Sequence, residues 1–392
     1  MPHDEQILGL KDLEIKEITR SGSHILIRAR HAGRARCPHC GGERLRKKDR
    51  VVRHPRHESW GLRTCRLQVE TFKFQCRGCG RYFNQRVEGL LPRRRTTEPF
   101  RREVYQLHRD GICRKTLAKR LKIGTATVER CFQDFLGRAL AERRAEVCPQ
   151  ILGIDEHFFT RKQGYATTLC DLKHHKVFDV VLGRSELALE SYFQRLPGKS
   201  RVKVVCLDLS STYRAIIRKH FPKALIVADR FHVIRLINHH FLATWRSLDP
   251  TGSQNRGLLS LIRRHPQNLK PEQQVRLQAY LEAHPAIQAI YDFKQRLCRL
   301  LLKKACTAQR CRRLIPLLLR YIKELKNVGF DALQQLGRTL GSWSQEIARM
   351  WRFSRNNGIT EGFHNKMEMI SRRAFGFRNF QNYRLRVRTL CA

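Results

Sequence analysis

The chain has 392 residues, 41% of them hydrophobic, with 78 Lys and Arg against 34 Asp and Glu for a net charge of +44. This excludes a single small module, a disulfide-stapled peptide fold and a disordered chain. Through residue 150 there are 35 basic and 17 acidic side chains and beyond it 43 and 17, so both halves favour a polyanionic partner such as nucleic acid.

Residues 7–36 carry short alternating segments, Ile7–Leu10, Leu13–Ile15 and His24–Arg28, that predict β-hairpins. Cys37-Pro-His-Cys40-Gly follows, then a basic stretch from Arg44 to Arg53, a strand-like 67–72 and Cys76-Arg-Gly-Cys79-Gly. After the linker-like Pro92-Arg93-Arg94-Arg95, helical spacing takes over from 98 to 146 with Gly111 and Gly124 as internal stops. Strand runs are expected at 151–159, 164–172 and 176–183, then helix 185–196, strand 202–207, helix 211–220, strand 224–228 and a helix from about 231, a mixed α/β order. Residues 246–345, rich in Leu, Arg and Gln, predict a helical insertion, and the chain closes in a segment rich in Arg and aromatics. No run of about 18 apolar residues occurs, and MPHDEQ lacks the order of a secretion signal, so a soluble intracellular protein without membrane contact is expected. In a reducing compartment the 14 cysteines point to metal ligation and burial rather than disulfides.

Cys37, Cys40, Cys76 and Cys79 have the paired spacing of a four-cysteine zinc ribbon, because each tight turn sets two thiolates on one edge of a tetrahedron. Four thiolates leave no open position, so such a zinc is structural. Residues 116–130 read as helix-turn-helix or as a plain helical hairpin: Leu117, Ala118 and Leu121 share an apolar face, and Thr125 or Thr127 starts a second helix that would enter the major groove with Arg130. Arg93, Arg94 and Arg95 are further candidate DNA contacts.

Asp155 sits in an apolar strand and Asp208 ends another, positions where a carboxylate is penalised unless something such as a divalent cation offsets it. Two such groups and a third carboxylate can hold a Mg²⁺ pair for phosphoryl transfer. Glu361, in the first turn of an expected helix after Asn356-Asn357-Gly358, is the candidate third. Asp229 competes with Asp208. The latter is preferred because its strand should lie beside that of Asp155, leaving Asp229, His232 and Asn365 as supporting or DNA-positioning residues. Glu156, Asp171 and Asp179 read as ordinary surface or turn residues. In the closing segment Arg372, Arg373 and Arg378 alternate with aromatics, which suits either phosphate pairing with base stacking or an amphipathic helix that buries its rings.

Gly153-Ile-Asp155-Glu156, Asp208-Leu-Ser-Ser-Thr-Tyr213, Phe221-Pro-Lys-Ala224 running into Val227-Ala-Asp229-Arg-Phe-His232, Asn357-Gly-Ile-Thr-Glu361-Gly362 and Arg373-Ala-Phe-Gly-Phe377 together resemble the bacterial insertion-sequence transposases of the ISL-three family. The resemblance implies a multidomain α+β protein with a β-rich zinc ribbon (1–92), a helix-turn-helix domain (93–147) and a ribonuclease-H-like core in two parts (148–245 and 351–392) around a helical insertion (246–350). It also implies an Asp155-Asp208-Glu361 triad with two Mg²⁺, replaceable by Mn²⁺, in a bacterial cytoplasmic protein. That protein would bind terminal inverted repeats, cut and join DNA, and act as a homodimer or larger assembly. Two alternatives stay open: a transposase-derived DNA-binding regulator without catalysis, and a structure-selective nuclease on the same core.

Overall fold

A computed structural model describes residues 2–142, 147–353 and 358–391. The chain divides into two compact units, 1–143 and 144–392. In the first, α1 (Pro2–Leu8) precedes β1 (Leu13–Ser21), β2 (His24–His31), β3 (Leu45–Arg53), β4 (Arg56–Trp60), β5 (Arg63–Cys76) and β6 (Tyr82–Asn84). The long β5 organises this sheet, pairing in parallel with β2 and antiparallel with β3, β4 and β6. Ile7 and Leu8, expected in a strand, close a helix instead. Asp4 and Glu5 favour its positive end, and Gly9, at φ +56°, stops it.

Three helices complete this unit: α2 (Glu98–Arg109), α3 (Arg114–Leu121) and α4 (Thr125–Glu142). Leu117, Ala118 and Leu121 pack with Phe100, Val104 and Val128 in one small core. The turn between α3 and α4 is made by Lys122 in the left-handed region at φ 49°. The 91–95 connection is tied down, since the Arg53 guanidinium donates to the Leu91 and Arg94 carbonyls at 3.0 and 2.8 Å.

The second unit holds β7 (Ile151–Thr160), β8 (Gly164–Asp171), β9 (Lys176–Leu182), α5 (Glu186–Arg195), β10 (Val204–Leu207), α6 (Ser211–His220), β11 (Leu225–Ala228) and α7 (Arg230–Leu248). Its sheet runs β11-β10-β7-β8-β9, with β7, β8 and β9 antiparallel and β10 and β11 parallel to β7. This is the mixed order expected of a ribonuclease-H-like core. The insertion is helical throughout: α8 (Pro250–Gln254), α9 (Arg256–Arg263), α10 (Pro271–Glu282), α11 (Pro285–Leu301), α12 (Ala308–Asn327), α13 (Asp331–Ser342) and α14 (Ser344–Arg349). Its later helices share the main core, where Leu297, Leu336 and Ile347 join Leu152, Ile154 and Leu207 of the sheet.

The other face of the sheet is covered by α15 (Gly358–Arg373) and α16 (Phe380–Leu390). Phe377, Phe380 and Tyr383 are buried there with Phe159 and Met367, so burial claims most of the closing aromatics, while Phe375 stays 89% exposed. Asp171 and Asp179 are not surface residues as expected; both are buried. Asp171 accepts from the Lys173 and His174 N–H groups, and Asp179 is gripped by both ends of the Arg384 guanidinium at 2.7 and 2.5 Å and by the Tyr192 hydroxyl at 3.0 Å. Among the described residues no helix is long and apolar enough to cross a membrane.

Candidate functional site

The cysteine pairs form two matching knuckles. Gly41 N–H donates to Cys37 O and Gly80 N–H to Cys76 O, each at 2.9 Å, and both glycines take positive φ, +72° and +74°, where a side chain would be strained. The register of β5 with β3 and β6 brings the knuckles together, so the four sulfurs lie within 4.8 Å of one another. Backbone N–H groups of Cys79 and Gly78 aimed at the Cys76 sulfur pull its pKa down to about 6, favouring the thiolate that metal binding requires. The cluster fits a structural zinc.

In the second unit, register places the aspartates. Ile154 pairs with Leu207 and Leu207 with Ala228, and Asp155, Asp208 and Asp229 each follow directly, so three carboxylates end one row across adjacent parallel strands. Asp155 and Asp208 line a cleft of about 580 Å³ with Glu156, Tyr165, Ser210 and, from α7, His232, Arg235 and His239. Asp229 is not among the lining residues. It lies buried behind them, capping α7 and 3.8 Å from His232. Asp208 accepts from the Ser210 N–H at 3.1 Å in a turn that starts α6.

Burial pushes the Asp155 pKa up to about 7, with Asp208, Asp229 and Glu156 adding to the rise against a hydrogen bond from the Glu156 N–H. Burial also raises Asp208, while His232 opposes. Among the described residues no Lys or Arg ion-pairs with Asp155 or Asp208, so this cluster fits a divalent cation as the missing positive charge.

Glu361 stands in the first turn of α15, exposed and outside the cleft lining. Its carboxylate does not gather with those of Asp155 and Asp208 into one set within 4.8 Å. Asn356 and Asn357 of the same motif lie outside the described residues. What ties this helix to the strand is a network that the sequence reading missed. Three residues after Glu361, His364 lies 4.0 Å from Asp155 and 3.1 Å from the Thr168 hydroxyl, which also meets His157 at 2.9 Å. The far nitrogen of His157 meets the Tyr383 hydroxyl at 2.9 Å. Burial drives both histidines down, His157 to about 3 and His364 to about 4, so they stay neutral hydrogen-bonding links. His157 was findable as the i+2 neighbour of Asp155 on one strand face. Asn365 is exposed, as are Arg93–Arg95, Thr125, Arg130, Arg372, Arg373 and Arg378, with Thr127 half-buried.

A family model for ISL3 transposases matches residues 152–387, and a second, the zinc finger of transposases IS204, IS1001, IS1096 and IS1165, matches 33–79. The transposase for insertion sequence element IS1001 of Bordetella parapertussis is 25% identical over 364 residues, covering 90% of this chain and 87% of that relative.

Proposed function

This chain belongs to the ISL3 family of transposases, and from that premise we propose that it binds the terminal inverted repeats of its own insertion sequence, cuts DNA at those ends and joins them to target DNA. The pair of aspartates that adjacent parallel strands β7 and β10 present to a cleft walled by α7 is the observation that carries this reading. Asp155, Asp208 and Glu361 are the residues that would hold two divalent cations, Mg²⁺ or Mn²⁺, with α15 bringing Glu361 to the cleft that Asp155 and Asp208 line. Bound there, the ions supply Lewis acidity and alignment for hydrolysis of a phosphodiester at the element end and for attack of the freed 3′-hydroxyl on target DNA. His232, 3.8 Å from the buried Asp229, positions Asp208 from within the cleft, and Arg235 of the same helix offers positive charge to a phosphate there. The neutral His157–Thr168–His364 network orients Asp155 toward the helix that bears Glu361.

End recognition falls to the first unit. The zinc ribbon (1–92) and the helix-turn-helix segment (93–147) carry it, with α4 in the major groove presenting Thr125, Thr127 and Arg130, while 148–245, 246–350 and 351–392 form the divided core and its insertion. Arg93–Arg95, Arg372, Arg373 and Arg378 contact phosphates, and Asn365 on α15 faces bound DNA. Synapsis of two ends makes the acting species a homodimer or larger, in the bacterial cytoplasm on nucleoid DNA.

The test is a supercoiled plasmid carrying the gene and its flanks, incubated with Mg²⁺ or Mn²⁺ beside the Asp155→Ala protein. Metal-dependent cutting at the element ends that the variant lacks supports the proposal. End binding without cutting by either protein, with both metals, would leave a DNA-binding regulator. If Asp208→Ala cuts and Asp229→Ala does not, Asp229 takes the second ligand position.

A further inference from the structure

In the first unit a cavity of about 540 Å³ opens where β4, β5, the 93–96 connection and the α3–α4 turn meet. Its lining is rich in arginine, and no Asp or Glu is among its described lining residues. Arg56 lines it from the sheet side and is only 8% exposed. One terminal nitrogen of Arg56 donates to the Leu121 carbonyl at 2.7 Å, yet its Nε is buried with no hydrogen-bond partner. Arg66 shares the cavity and adds like-charge repulsion to the burial of Arg56, opposed by a lesser attraction from Glu103, which is not among the lining residues. Among the described residues, Arg56, Arg66, Arg94 and Arg95 have no carboxylate ion-pair partner, in contrast to Arg101, which meets Glu98 and Asp134.

A buried guanidinium with an open donor beside like charges is unfavourable unless an anion completes it. The walls are built rather than loose, for the Arg53 side chain holds the connection and the Arg56 N–H donates to Arg95 O at 2.8 Å. Thr127 and Arg130, in the first two turns of α4, share the same cavity, which sets it against the helix assigned to the DNA groove.

We propose that this cavity binds one backbone phosphate of duplex DNA, held by Arg56 and Arg66 with the arginines of the 93–95 connection. The inference rests on the reading of this unit as the DNA-binding one. It adds a register-fixing anchor beneath the groove-entering helix, since a fork-shaped guanidinium fixes the direction of a phosphate as well as attracting it.

The full-length protein, Arg56→Gln and Arg66→Ala are compared in binding to the element end and to a random duplex across a salt series. Thermal melts check folding, and the exposed Arg66 serves as the variant that does not touch the core. Each variant should flatten the slope of log affinity against log salt by about 0.9 and weaken both duplexes roughly tenfold. A methylphosphonate at one position of the end should reproduce the loss in the wild type and add nothing in the variants. Unchanged slopes, or losses additive with every methylphosphonate position, would overturn the proposal. So would thermal protection by inorganic phosphate at matched ionic strength with unchanged DNA slopes, which would assign the cavity to a small free anion. Equal wild-type affinity for end and random duplex, with the slope losses intact, would instead refute end recognition and leave the phosphate site standing.

Discussion

Asp155 carries a charge that is unfavourable where the fold puts it. Its folded pKa, about 7, lies above its usual 3.8, so the stability it contributes is full below about pH 4 and is lost as pH rises toward 7. In EDTA at pH 8, Asp155→Asn should therefore melt at least about 2 °C above the wild type, and Mg²⁺ should close the gap by stabilising only the wild type. By the same competition between proton and metal, single-turnover cleavage at fixed Mg²⁺ should climb as pH rises through 7. The two histidines have the opposite sign: their pKa values are depressed below 6.5, so the stability they lend is present above 6.5 and lost as pH falls toward 4 and 3. His157→Gln should flatten the loss of melting temperature between pH 6.5 and 4. Asp155 and Asp208 were legible because each ends or interrupts an apolar strand run. His364 was not, because its partner Thr168 is 196 residues away and nothing local marks the pairing.

Periodicity identified the strands of the second unit's sheet and the helices between them to within a few residues, since burial on one or both faces leaves a readable pattern. It failed where local signals compete. Ile7–Leu10 looks like a strand, yet Asp4 and Glu5 ahead of it and Gly9 behind it fit a short helix. The closing segment hid a different choice: α16 turns Phe380 and Tyr383 inward and spends Arg384 on buried Asp179, leaving Arg372, Arg373 and Arg378 outside. Arg384→Ala leaves that carboxylate only the Tyr192 hydroxyl and Arg388 at 3.8 Å, and should destabilise the second unit by about 2 kcal/mol in urea titration. The zinc knuckles are the matching case in the first unit. Its sheet core is small, built from residues such as Ile27, Leu67 and Val69, so chelation or Cys76→Ser should abolish its cooperative melt while that of the second unit persists.

Over the whole molecule, the net charge of +44 predicted a polyanionic partner without saying which surface meets it. The proposed phosphate cavity would give part of that charge an address in the first unit, and the family match over 152–387 makes the second unit the transposase part of the chain. Composition marked the insertion as helical but not that Leu297, Leu336 and Ile347 complete the core behind the second unit's sheet. Deleting 250–350 should therefore leave the second unit unable to give a cooperative melt, a result that differential scanning calorimetry reads directly.

The order in which the carboxylates occur along the chain has a consequence for gene dosage. Asp155 and Asp208 are translated early and Glu361 some 150 residues later, whereas the compact first unit is complete by residue 143. On the proposed division of labour, a frameshift or stop codon between those points would yield a product that keeps the end-binding unit but lacks Glu361. Decayed copies of the gene would then compete with intact ones for the same sites, so that mobility falls as broken copies accumulate.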